Sequence, residues 1–210
     1  MATLLQLRTK LNGEVGVVSD AETTPWSTTV RNNAIIDGYA ELWRVGVWKP
    51  VLQSIATVDD QFIYTLSTIR RLERLELVDS GGRINSEPRG IVEDDGSGAW
   101  HLRLVAPLTN GYILRVRGWT AYKSQLSGDG DTDDLPAEHN RVPLLKAKAI
   151  LWRIQLGSFA RYGTRQAVPP EMNLSIDQLI GLISAAEREF VDEAKVLSGL
   201  RPRAGQTRSV

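Results

Sequence analysis

The sequence contains no cysteine in its 210 residues. That excludes a disulfide framework, a thiol nucleophile and cysteine-ligated zinc, and it fits a reducing compartment. Histidine is nearly as scarce. His101 and His139 are the only two, they fall in different elements, and neither has a neighbour at metal-ligand spacing or in an acid–base arrangement. A charge excess is also lacking: Lys plus Arg and Asp plus Glu each number 25. No net field therefore draws the whole chain to nucleic acid or to an anionic membrane, although a local basic segment still can. No apolar run approaches the ~20 residues of a bilayer-spanning helix. The first residues, from Met1 to Arg8, lack the charged region and long apolar core of a signal peptide, so a protein made in the cytosol is expected. What remains, 42% hydrophobic and 24% charged residues, is the composition of a globular chain.

The hydrophobic spacing changes twice along the chain. Thr3 and Gln6 form a capping-box pattern ahead of Leu4, Leu7 and Leu11, which predicts a helix over 3–12 ending at Gly13. Ser27 caps a second helix, 28–46, with the stripe Ile35, Tyr39, Leu42 and Trp43. From Val51 the period becomes two. Segments Gln61–Leu66 and Arg71–Val78 read as strands. Trp100, Leu102 and Leu104 alternate with His101 and Arg103, and Leu114 and Val116 alternate with Ile113, Arg115 and Arg117. Turn residues at 94–98 and 107–111 make this a small antiparallel sheet, sandwich or barrel. Helical spacing returns over 142–161, with Leu145, Ala149, Trp152 and Leu156, and Pro143 is tolerable in the first turn. A second capping box, Ser175 and Gln178, opens a helix over 175–197 with the stripe Leu179, Ile183, Ala186, Phe190 and Ala194. The expected fold is therefore α+β: a four-helix bundle formed by the N- and C-terminal segments, with an inserted antiparallel β module and a flexible C-terminal arm. The expected divisions are 1–50, 51–123, 124–197 and 198–210.

Candidate chemistry is sparse. Asp129, Asp131 and Asp133 alternate as at the start of an EF-hand loop. Position 6 is then Asp134 instead of Gly, position 12 is Asn140 instead of Glu, and Pro136 interrupts. A solvated turn between sheet and helix is the better reading. Asp59-Asp60 and Asp94-Asp95 are turn formers in the same sense. The chain has no nucleophile elbow, Walker loop or dinucleotide fingerprint. No catalytic residue, cofactor site or metal site is expected, and the chain reads as not an enzyme. Of six tryptophans, Trp43, Trp100 and Trp152 fall on apolar stripes as core anchors. Trp26, Trp48 and Trp119 lie at element ends, where an aromatic serves either the core or a subunit interface. The tail carries Arg201, Arg203 and Arg208 and no acid. It is either a frayed end or an arm that orders on an acidic partner.

The leucine-bearing first helix, the Pro25-Trp26-Ser27 entry and the helix Ala34–Arg44 (Ala-Ile-Ile-Asp-Gly-Tyr-Ala-Glu-Leu-Trp-Arg) resemble the head-to-tail adaptor proteins of tailed bacteriophages. So do the Leu135-Pro-Ala-Glu-His139 entry to the third helix and the order of helices, β insertion, helices and basic tail. Pro143 and the long β region are less typical of that family. The resemblance implies a structural virion protein that forms a homo-oligomeric ring of about twelve subunits. It implies docking on the portal protein at the capsid vertex and a platform for the next neck or tail component. It also implies genome DNA passing through the lumen without sequence-specific binding, no membrane partner, and residence in the virion neck after assembly in the host cytoplasm. Portal docking would fall to the C-terminal arm, here Leu200, Arg201, Arg203 and Arg208. Three other readings stay open beside it. One is a different neck or tail-completion protein, a stopper or tail terminator, which the long C-terminal helices oppose. Another is a nucleic-acid-binding module using Arg115, Arg117 and the tail arginines, which the dispersed acids oppose. The third is a hydrolase with an unfamiliar site, which no motif supports.

Overall fold

The computed structural model describes residues 1–17, 26–122, 126–162 and 174–199. Helix α1 (Leu4–Val15) starts at the predicted capping box: the Gln6 amide donates to Thr3 Oγ1 at 3.2 Å, and the Thr3 amide donates to Gln6 Oε1 at 2.9 Å. It runs past Gly13 and stops at Gly16, which takes the left-handed conformation with φ 74°. Helix α2 (Thr28–Arg44) is capped by Ser27, whose hydroxyl accepts from the Val30 amide. A 3-10 turn, Ala137–His139, leads into α3 (Arg141–Tyr162), and α4 (Ile176–Gly199) opens on the Ser175–Gln178 box.

These helices do not form the expected four-helix bundle of the terminal segments. Helices α2 and α4 each pack along α3, and α1 rests against α2 and α3. The hub is α3, and the reason lies in its sequence. The expected single stripe of Leu145, Ala149, Trp152 and Leu156 is joined by buried Val142, Leu144, Ala147 and Leu151, so α3 is apolar around most of its circumference and is covered from several sides. The outer side of α4 retains exposed Ile176, Ile180 and Val191.

The middle of the chain folds as seven strands in two antiparallel sheets among the described residues. The strands are β1 (Lys49–Ala56), β2 (Ile63–Leu66), β3 (Arg71–Val78), β4 (Ile84–Ser86), β5 (Gly90–Asp94), β6 (Trp100–Leu104) and β7 (Ile113–Thr120). One sheet has the order β1-β7-β3-β4 and the other β2-β6-β5. Tyr64, Leu66, Leu102 and Leu104 of the smaller sheet share one core with Leu75, Leu114 and Val116 of the larger, so the two sheets face each other as a sandwich. By contact the described residues divide into a helical unit, Met1–Val47 with those from Tyr122 to Gly199, and the sandwich, Trp48–Ala121. The helical unit has its own core, including Leu4, Leu7, Trp26, Ile35, Tyr39, Leu145 and Phe190. The sandwich begins and ends on paired strands, since Lys49 lies opposite Thr120 in the β1–β7 ladder.

Candidate functional site

The acidic loop ahead of α3 is solvent-exposed over most of its length, but it is tied down, and Asp133 is buried. Its three alternating carboxylates point to three different partners. Asp129 receives both arms of the Arg8 guanidinium, at 2.6 and 3.1 Å, and Arg8 also donates to Asn32 Oδ1. Asp131 accepts from the amides of Ser127 and Gly128 and from the Ser127 hydroxyl, at 2.8–2.9 Å. Asp133, 1% exposed, accepts from the Ala2 amide and from the Tyr39 hydroxyl, both at 2.5 Å. The Asn140 side-chain amide, with its nitrogen toward Asp133, adds a third bond at 2.8 Å. Burial, and then the Asp133 carboxylate, push the Tyr39 phenol well above its ordinary range. Together with the Leu4 amide bonded to the Asp131 carbonyl at 2.9 Å and the Thr3–Thr132 bridge, the loop staples α1, α2 and α3 together. Among the described residues no group of His, Asp or Glu is arranged to hold a metal ion, and no helix is long and apolar enough to cross a membrane.

The outer face of the larger sheet is rich in arginine. Successive outward positions of β7 are Ile113, Arg115, Arg117 and Trp119. In the ladder Arg115 lies opposite Glu76, Arg117 opposite Arg74, and Trp119 opposite Arg71. Like charges directly across a ladder repel. Here Glu76 sits between them, with Oε1 at 3.4 Å from both Arg74 and Arg117. The residue is 2% exposed and its Oε2 is buried without a partner. Glu76 thus orients the guanidinium groups without showing its own charge to solvent. Arg74 also pairs with Glu87 at the rim. Arg71 lies over the Trp48 ring, 4.2 Å from its centroid, and Trp48 meets Trp119 at 6.4 Å. Leu52 is exposed on the same face.

The outer face of the smaller sheet has the opposite sign. Ile63, Glu93, Asp94, Asp95, His101 and Arg103 line a half-open cleft of about 440 Å³. Glu93 pairs with Arg103 at 3.3 Å, and His101 Nε2 lies 3.3 Å from Asp95 Oδ2. His101 Nδ1 is buried without a partner. Ile63 and Ile91 are exposed beside the cleft. The Ser97 hydroxyl and amide, with smaller contributions from His101 and the Ala99 amide, hold the Asp95 carboxyl down at about 2. Its folded value lies below the unfolded one, so its contribution to stability is present above the ordinary carboxylate pKa of about 3.9 and is lost as the pH falls through the folded value. An NMR titration of the Asp95 side chain should show a midpoint of about 2, moving up in Ser97→Ala. A midpoint in the wild type at the ordinary carboxylate value would show that Ser97 does not bond it.

The sequence-derived site residues scatter. Trp26 is fully buried in the helical core, where its Nε1 donates to the Leu151 carbonyl at 3.0 Å and its ring meets Trp152 edge-on at 5.2 Å. Trp48 and Trp119 are half-buried and lie together on the arginine-bearing side of the sandwich. The arm residues Leu200, Arg201, Arg203 and Arg208 lie outside the described residues. Sequence reading missed the acidic cleft and the role of Glu76. A period-two count of charges on β3 and β5 would have placed Glu76 and Glu93 on outer faces, but not their burial or pairing.

No protein-family model matches the chain, and no curated protein matches it. Among solved structures it is weakly similar to a chain from the neck of an empty GTA particle, computed with C6 symmetry. The identity is 13%, the match covers 85% of this chain and 87% of that one, and the TM-score is 0.32. A likeness that slight fixes neither fold nor role.

Proposed function

We propose that this chain is a structural neck protein, a head-to-tail adaptor that docks on a portal ring and carries the next neck or tail component. The observation that carries the reading joins sequence to geometry: the two stretches with the family resemblance, far apart in the chain, share the core of the helical unit, through Ala34, Ile35, Tyr39 and Leu42 of one and Leu135 of the other. From Ala34–Arg44, residues Ala34, Ile35, Gly38, Tyr39 and Leu42 are buried. Gly38 lies directly against the Pro143 carbonyl, just beyond Leu135–His139. Tyr39 bonds Asp133, which also takes the Asn140 amide. Residues of both stretches and of their immediate flanks therefore pack in one core, which supports the reading.

In this reading the subunits form a closed ring of about twelve copies with heterologous contacts. DNA crosses the lumen without sequence-specific binding, and the 198–210 arm holds the portal. Arginines at 201, 203 and 208 suit bidentate bonds to partner carboxylates, and a ring multiplies a modest contact through effective concentration. Co-expression with a portal protein tests it. The full chain should co-purify with portal rings. Deletion of 199–210 should leave the thermal melt intact and abolish capture, giving heads that leak or lack tails. Equal capture by the truncated chain would remove the arm from the mechanism.

A further inference from the structure

We propose that the sandwich is a head-to-tail self-association element, in which the arginine-bearing outer face of one copy meets the acidic cleft of the next. This deepens the ring reading above and rests on it. The inner faces of the two sheets pack on each other, so their outer faces point in opposite directions. A contact between two different faces of one body is heterologous, and it repeats from copy to copy until the rotation closes a ring.

The two faces match in charge and in kind. On one, Arg115 has no carboxylate partner among the described residues, and Arg117 shares with Arg74 a single oxygen of sequestered Glu76. That face offers guanidinium groups in excess of its exposed carboxylates, and one of its cross-strand pairs, Arg74 with Arg117, is of like charge, which an external carboxylate would relieve. On the other face, Glu93 and Asp95 outnumber Arg103 around a cleft that Asp94, at the end of β5, also lines. Both faces carry exposed aliphatic residues, Leu52 and Ile113 against Ile63 and Ile91. The Trp48–Trp119 pair and Arg71 on the arginine-bearing side are residue types that dominate interface energetics. A whole-chain balance of 25 basic and 25 acidic residues therefore conceals a sorted distribution within the sandwich. A nucleic acid would account for the arginines and leave the acidic cleft with its aliphatic rim unexplained. A second copy of this chain accounts for both.

Charge reversal in the full-length protein tests the pairing. Arg115→Glu with Arg117→Glu makes both faces acidic, and Glu93→Lys with Asp94→Lys makes both basic. By sedimentation velocity the wild type should associate with rising concentration, and more weakly at high salt. Each double variant alone should lose about a hundredfold in association constant, and an equimolar mixture of the two should recover it. Circular dichroism melts check folding, and the single substitutions Arg115→Glu and Glu93→Lys carry the same test should a double variant fail to fold. A wild type that stays monomeric, variants that associate as well as the wild type, or a mixture that stays dissociated would each overturn the proposal. So would loss of affinity for a short DNA duplex on Arg115→Glu with no change in self-association, which would give the face to nucleic acid. Portal capture scores the adaptor reading separately. Assembly without capture defeats that reading and leaves this one, and capture with undisturbed assembly of the variants does the reverse.

Discussion

Replacing Gly38 with alanine should lower the unfolding free energy by about 3 kcal/mol or more, read as a drop in urea midpoint at constant slope. A Cβ built at Gly38 falls 2.2 Å from the Pro143 carbonyl oxygen and 3.1 Å from its carbon. Those atoms are backbone and cannot rotate away, so α2 and α3 must separate. The sign is diagnostic, because alanine in a helix interior is otherwise favoured over glycine by roughly 0.5–1 kcal/mol. Gly181 in α4 and Gly157 in α3 have nothing within 4 Å of such a Cβ, and the same substitution there should be stabilising by that amount. Equal effects at all three positions would mean that α2 and α3 do not approach as closely as described.

Asp133→Ala should cost about 4 kcal/mol, because three donors lose a charged acceptor and Tyr39 is left with a buried hydroxyl. Tyr39→Phe removes one donor only and should cost about 1–2 kcal/mol. The double variant should be less destabilised than the sum, since the two share a bond. The pH dependence has a definite sign. The folded phenol lies above its ordinary value of 10.0, so its contribution is full below that value and is lost as the pH rises beyond it. Wild-type stability should fall more steeply than that of Tyr39→Phe above about pH 10. Parallel curves would show that Tyr39 ionises as freely folded as unfolded.

The local rules were legible wherever a side chain acts on its own neighbourhood. Thr3 with Gln6, Ser27, and Ser175 with Gln178 mark helix starts because each oxygen reaches an amide three residues away, whatever the rest of the chain does. The alternation at 100–104 and 113–120 is equally self-contained. What eluded the sequence is long-range. The reach from Asp133 to Ala2 and Tyr39 spans most of the chain, so its carboxylate looks like one more acid in a polar loop. Helix α3 shows a readable stripe, yet the residues between stripe positions are also apolar, and nothing local says how many partners will cover them. That ambiguity is why a bundle was expected and a hub was found. Gly13 reads as a stop because glycine often is one, but Gly16 supplies the left-handed turn. Glu76 on an outward position of β3 reads as solvated, and only its register against Arg115 and beside Arg117 explains its burial.

The pairing of Lys49 with Thr120 has an evolutionary corollary. Antiparallel partners sit roughly 5 Å apart at their Cα atoms, so the chain enters and leaves the sandwich at adjacent points, as a loop that is already closed. The β1–β7 ladder absorbs the closure entropy, and changes of length inside the excursion leave the exit and re-entry points where they were. The sandwich is in that sense a cassette. It can gain strands, shed hairpins or be exchanged for another β module while α2 and α3 keep their register. The surface that the sandwich offers to partners can therefore diversify while the two ends of the excursion stay one strand pair apart.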